Sequence, residues 1–292
     1  MGVLSESDIE RFRADGFIVD RGDVTGERLA ALRAELAGWV EQSRGHAVNY
    51  GDTLDGRARF DLEIGHSAAA PRLRRVNNPA EISISYRAVT HESRLPDAVA
   101  DLIGPDVKFH HCKINLKLPG SETRVGYHQD FSYTPHTNDD LVTALLMLDD
   151  MTLENGCLMV VPGSHREGQV SLWQGQTFTG ETPPRLTAAF EKRAVPVTGK
   201  AGDVCLMHTS LMHGSAPNRS RRARGLFITV YAAADAFALS PSPLPNAFEG
   251  DIVRGKASRI ARLQGRVVEL PATYDNASFF EVQGQKSATT KG

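Results

Sequence analysis

The sequence predicts a mainly β protein, an antiparallel sandwich or barrel flanked by helices. Two observations carry this reading. From about Val107 to Ala233, short alternating or continuous apolar runs are separated by Pro, Gly, Asn and Asp, the pattern of short antiparallel strands joined by turns. Before that region, Leu29, Leu32, Leu36, Trp39 and Val40 recur at three- and four-residue spacing, which marks an amphipathic helix over about Gly26 to Gln42. The length of 292 residues is about two average domains, yet β barrels and sandwiches often reach that size as one unit. A hydrophobic fraction of 41% and a charged fraction of 23% allow a sizeable core.

In chain order, Ser7 stands three residues before Glu10, which reads as a capping box, and Ile9 and Phe12 then give a short helix stopped by Gly16. A strand, Phe17–Val19, follows. After the amphipathic helix, residues 43–80 are rich in Gly, Arg, Asp and Asn and read as a long irregular insert. Its basic cluster, Arg72, Arg74 and Arg75, reads as a solvated surface, with contact to an acidic substrate group as the alternative. The expected strands are Lys108–Leu118, Leu141–Leu148, Cys157–Val161, Asp203–His208 and Gly225–Ala232, and segments 119–140 and 162–199 read as loop-rich. Beyond Ser240 one helix is expected near Ile252–Leu263, then a polar tail. The chain thus divides into N-terminal support (1–104), a β core (105–235), a C-terminal extension (236–282) and a disordered tail (283–292), all within one domain.

Composition excludes several partners. A net charge of −2 gives no broad positive field for nucleic acid or an anionic membrane surface, so a small molecule is the expected partner, bound by a monomer or homodimer. No uncharged run approaches the length of a membrane helix, and the N-terminus has no apolar signal core. Cys112, Cys157 and Cys205 are isolated in apolar stretches and read as reduced core thiols, which points to the cytoplasm.

Chemistry concentrates in Tyr127-His128-Gln129-Asp130. An imidazole and a carboxylate two residues apart share one face of an extended strand and can grip one ion. A second element, 85 residues downstream of His128, is a strand followed by His213 at a turn glycine. Together they make a 2-His-1-carboxylate set, which leaves open positions on non-haem iron(II) for a chelating co-substrate and O2. His208 competes for the distal role, but five residues from His213 it points to the opposite face of a regular strand. A 2-oxoglutarate co-substrate needs a clamp for its far carboxylate, and Arg224, 11 residues after His213 on the return strand, offers a bidentate guanidinium. Arg219, Arg221 and Arg222 read as a solvated turn.

These residues carry a resemblance. The order His128-Gln-Asp130, the run Leu148 to Arg166 with Pro162-Gly-Ser-His165, Gly202-Asp203, His213-Gly-Ser-x-x-Asn218 and Arg224 resembles the phytanoyl-CoA dioxygenase family over roughly residues 105–235, with an opening Asp-Gly-Phe17 element in support. The resemblance implies a double-stranded β-helix (jelly roll, cupin-like) and an iron(II)- and 2-oxoglutarate-dependent dioxygenase that hydroxylates a C–H bond of a small metabolite or natural product. It implies His128, Asp130 and His213 as metal ligands, Arg224 and Ser215 as holders of 2-oxoglutarate, and Gln129, Asn115, Lys117 and Thr143 as lining of the co-substrate pocket. The Pro162–His165 turn and His208 read as structural, His110 and His111 as core, and His136 as core or a substrate contact. Because Asp130 is intact, halogenation is not expected. The rival readings are a non-catalytic cupin-like protein, an acyl-CoA 2-hydroxylase, and a zinc hydrolase, which the absence of a His-Glu-x-x-His pair disfavours.

Overall fold

The structure is a computed structural model that describes residues 2–272 and 277–285. Two antiparallel sheets face one another. The larger runs in the order Phe17–Asp20, Val204–His208, Leu141–Met147, Arg224–Ala233, Val107–Lys117, Leu73–Asn77, Ala58–Leu62 and Tyr50–Asp52, with Ile252–Arg254 pairing on the end of Val107–Lys117. The smaller runs Val195–Val197, Leu158–Val160, His213–Ser215, Val125–His128.

Strand alternation gives each face of the large sheet its own task. Val142, Ala144 and Leu146, with Phe227 and Tyr231, join the core under the helices Gly26–Ser43, Ile84–His91 and Leu95–Ile103, where Leu32, Leu36, Tyr86, Val89 and Val99 pack. Their neighbours Leu145, Met147, Leu226 and Ile228 point the other way and meet Leu158 and Val160 of the small sheet. That inner face also carries the site. The three cysteines are buried and free, and among the described residues no helix is long and apolar enough to cross a membrane.

The structure changes several expectations. The first helix, Glu6–Asp15, is capped by Ser5, whose Oγ accepts from the Asp8 amide at 3.2 Å, so Ser7 lies inside the helix and is not its cap. Gly16 ends it with φ +84°, a left-handed position that favours glycine. The region expected to be an irregular insert holds three strands that widen the large sheet. Its charged residues hid them: Asp61 and Arg74 are buried and bonded at 2.6 Å, and Arg75 is buried beside Asn115. Arg74 and Arg75 are therefore not a solvated cluster.

The helix expected near Ile252–Leu263 is absent. Ile252–Arg254 is a strand, since it pairs along the free edge of Val107–Lys117, and Gly255, at φ +67°, ends it. The loop-rich stretch 162–199 also holds the helix Pro184–Glu191. Residues 283–285 of the expected tail are fixed by hydrogen bonds from Gln283 and Gln285; 286–292 lie outside the described residues.

Candidate metal and co-substrate site

In the small sheet His128 and His213 are register partners, which sets their rings side by side with centroids 4.2 Å apart. Each Nδ1 meets a main-chain carbonyl, Gly126 O at 2.8 Å for His128 and Leu211 O at 2.9 Å for His213. A carbonyl only accepts, so both Nδ1 atoms carry the proton and both Nε2 atoms keep a lone pair. Asp130 follows in a turn, Oδ1 lying 3.4 Å from His128 Nε2 and 3.7 Å from His213 Nε2. Its other oxygen, Oδ2, accepts from Thr143 Oγ1 of the large sheet at 2.7 Å.

Two nitrogens and one oxygen thus converge within 4.8 Å of one another, and each is oriented by a hydrogen bond behind it, as in metal-binding histidines and carboxylates. This donor set fits iron(II). Burial pushes the Asp130 carboxyl up, but the neighbouring His213 and His128 rings outweigh it and hold Asp130 well below the usual carboxylate range. Burial, reinforced by His128, takes His213 down to about 4. Both groups are in their ligand forms at neutral pH.

Beside the triad a narrow cleft between the sheets is lined by Asn115, Thr143, Ser215, Arg224, Leu226 and Ile228. Arg224 and Lys117 are direct cross-strand partners and both are buried. Two like charges placed opposite one another destabilise a sheet unless an anion lies between or beside them. Arg224 Nε and Nη2 donate to Gly156 O at 3.1 and 2.9 Å, and Lys117 Nζ to Ser215 Oγ at 2.7 Å. Gly156, with φ +73°, has its missing Cβ against Ala216 O, so glycine is required where its carbonyl receives the arginine. Burial lowers Arg224 to about 10, which leaves it charged, and takes Lys117 well below its ordinary value, with Arg224 adding to that.

A larger cavity of about 490 Å³ opens on the other side of Asp130, walled by Tyr50, Asn77, His111, Lys113, Tyr133 and Phe279 among others. Phe279 also lines the narrow cleft, and its ring lies 5.5 Å from that of His128. Phe279 belongs to a short helix, Phe279–Val282, held down by Gln283, which accepts from the Gly126 amide at 3.0 Å and donates to Gly180 O at 2.8 Å.

Sequence motifs and geometry agree unevenly. The triad, Arg224, Ser215, Lys117, Asn115 and Thr143 come together. Gln129 does not line the cleft: on the far side of the strand from its two neighbours, it ties the turn to Gly168, Val170 and Ser210. His208 lies at the end of its own strand, away from the triad, with its amide on Gly16 O. The Pro162–His165 turn supports His213 indirectly, since Ser164 Oγ accepts from the Met212 amide at 2.9 Å. His136 is buried against His110 and is not among the residues of either cavity wall. Lys113, Asn77 and Phe279 were missed. Lys113 had a signal, because His111, Lys113, Asn115 and Lys117 are polar at every second position, alternating with Cys112, Ile114 and Leu116.

Residues 12–226 match the model of the family described as phytanoyl-CoA dioxygenase. The chain belongs to that family. It is 33% identical over 220 residues to a probable alpha-ketoglutarate-dependent hypophosphite dioxygenase of Stutzerimonas stutzeri, covering 73% of this chain and 74% of that protein. It is 28% identical over 258 residues to the ectoine dioxygenase of Halomonas elongata, covering 82% and 73%. Among solved structures, EctD from S. alaskensis with bound Fe matches with a TM-score of 0.66 at 24% identity, over 89% of this chain and 88% of that one, which shows a shared fold. This phytanoyl-CoA dioxygenase family member is a non-haem iron(II)- and 2-oxoglutarate-dependent dioxygenase on a cupin-like double-stranded β-helix.

Proposed function

We propose that His128, Asp130 and His213 hold iron(II), that Arg224 with Ser215 and Lys117 holds the far carboxylate of 2-oxoglutarate, and that a small molecule in the 490 Å³ cavity is oxidised at a C–H bond. The single observation behind this is the adjacency of a three-ligand metal cluster to a buried, cross-strand Arg–Lys pair that forms no ion pair with a carboxylate among the described residues. Iron bound there supplies the redox and O2 chemistry that splits 2-oxoglutarate into succinate and CO2 and oxidises the substrate.

The protein's own work is positioning. Thr143 fixes the Asp130 carboxylate, the two carbonyls fix the imidazoles, and the walls from both sheets keep water from the reacting groups. Three free buried thiols support a cytoplasmic setting. Strands at 50–77 belong to the same sheet as Thr143 and Arg224, which supports one functional domain. A small polar substrate is supported by relatives that include an ectoine dioxygenase and an L-proline trans-4-hydroxylase, the latter 30% identical over 163 residues.

Succinate formation with iron(II), O2 and 2-oxoglutarate is the test. Asp130→Ala should abolish it, and Arg224→Ala should raise the KM for 2-oxoglutarate by about tenfold or more through loss of a bidentate contact. Turnover retained in Asp130→Ala rejects the metal assignment. An unchanged KM in Arg224→Ala rejects the clamp.

A further inference from the structure

The large cavity beside Asp130 contains two polar atoms, Asn77 Oδ1 and Lys113 Nζ, that hydrogen-bond to none of the described residues. Asn77 and Lys113 are direct cross-strand partners, so their side chains stand next to each other on the inner face of the large sheet. Asn77, 9% exposed, donates through Nδ2 to Ala58 O at 2.8 Å, and this fixes the amide with Oδ1 turned the other way. That Oδ1 is buried and has no hydrogen-bond partner among the described residues. Lys113 borders both this cavity and the narrow cleft; its Nζ lies 5.9 Å from the centre of the Phe279 ring and makes no hydrogen bond or ion pair with any described residue.

Several other charged groups on this wall have partners, Arg75 among them, whose Nε donates to Asn115 Oδ1 at 3.0 Å. Asp61 pairs with Arg74, Arg57 with Asp55, and Glu281 accepts from the Ser278 amide at 2.7 Å. Asp130 belongs to the metal. A desolvated acceptor and an unpaired ammonium, side by side, are each costly unless a ligand meets them. Such a ligand must present an anionic oxygen and, a few ångströms away, an N–H or O–H.

We propose that Asn77 and Lys113 are the substrate-recognition pair, and that the substrate is an organic acid bearing a hydroxyl or amino donor close to its acid group. Lys113 takes the acid and Asn77 Oδ1 accepts from the donor, so that the carbon skeleton extends between Tyr50, Tyr133 and Val230 beside the metal cluster. This rests on the oxygenase reading above. A volume of about 490 Å³ exceeds the needs of a bare oxyanion and suits a mid-sized organic molecule.

Calorimetric titration of the full-length protein, loaded with iron(II) and saturating 2-oxoglutarate under argon, tests the pair with four probes on one skeleton. These are L-leucine, 2-hydroxy-4-methylpentanoate, 4-methylpentanoate and L-leucine methyl ester. The first two should bind about tenfold or more tightly than either of the others. Lys113→Met should erase the preference for acid over ester, Lys113→Arg should restore part of it, and neither should change 2-oxoglutarate affinity by more than about threefold. Acid and ester bound alike by a wild-type protein that takes up 2-oxoglutarate overturns the pair alone, as does a preference that survives in Lys113→Met. A fall in 2-oxoglutarate affinity in Lys113→Met that matches the loss of probe binding reassigns Lys113 to the co-substrate and overturns the proposal. Failure of the wild type to take up 2-oxoglutarate overturns the oxygenase reading beneath it.

Discussion

Asp130 is held from two sides, and the two sides come from different sheets. Its Oδ1 faces both imidazoles of the small sheet, while Oδ2 is anchored by Thr143 of the large one at 2.7 Å. Thr143 is therefore a positioning residue that sets which oxygen points at the metal. Thr143→Val keeps the β-branched shape and removes only the hydroxyl. Loss of such an orienting partner should weaken iron(II) or cobalt(II) binding by about 10–100-fold, read by metal titration, while the thermal midpoint falls little. A metal affinity equal to wild type would show that the carboxylate needs no anchor. The same local reasoning explains Gln129, a neighbour of two ligands that faces away from them and works by tying loops together.

Elements, rather than residues, decide how much of the site could be read in advance. His128, Asp130 and His213 were legible because period-two spacing puts a His and an Asp on one strand face, and Arg224 because its return strand follows directly. The strands Ala58–Leu62 and Leu73–Asn77 were not, since Arg59, Asp61, Arg74 and Arg75 give them the look of a surface while they are buried, Asp61 with Arg74, Arg59 with Glu81 and Arg75 with Asn115. Local sequence carries no record of which distant charge will meet an arginine. The C-terminal helix was illegible for the same reason: Phe279 acquires its role only because Gln283 ties it to Gly126 and Gly180, more than 100 residues away. Gln283→Ala removes both bonds and leaves their partners buried. It should loosen the described segment 277–285 by about 2 kcal/mol, or ~30-fold in local opening, measured as faster amide exchange confined to that segment. Exchange unchanged there would mean that the aromatic contacts alone hold the helix.

At the scale of the whole molecule, two buried histidines make stability depend on pH. His110 and His136, 4% and 3% exposed, lie side by side with ring centres 5.2 Å apart and planes tilted by 60°. Burial drives both down, His110 to about 3 with His136 adding to the effect, and His136 to about 4. Glu249 lies 3.9 Å from His110 Nδ1, too far for a direct hydrogen bond, and Lys108 works against protonation of both rings. An unfolded histidine titrates near 6.5, so between about pH 4 and 6.5 the unfolded chain binds two protons here that the native protein refuses. The state that binds more protons gains as pH falls, and stability must therefore decline on acidification through this window and recover above it. Each ring contributes about 1 kcal/mol per pH unit, ~2 for the pair, between pH 5 and 6. Urea unfolding at a series of pH values should show that slope, and His110→Asn with His136→Gln should remove ~2 kcal/mol per pH unit from it even if the double variant is less stable overall. A slope that is the same in both proteins would place these rings among the groups that protonate without unfolding.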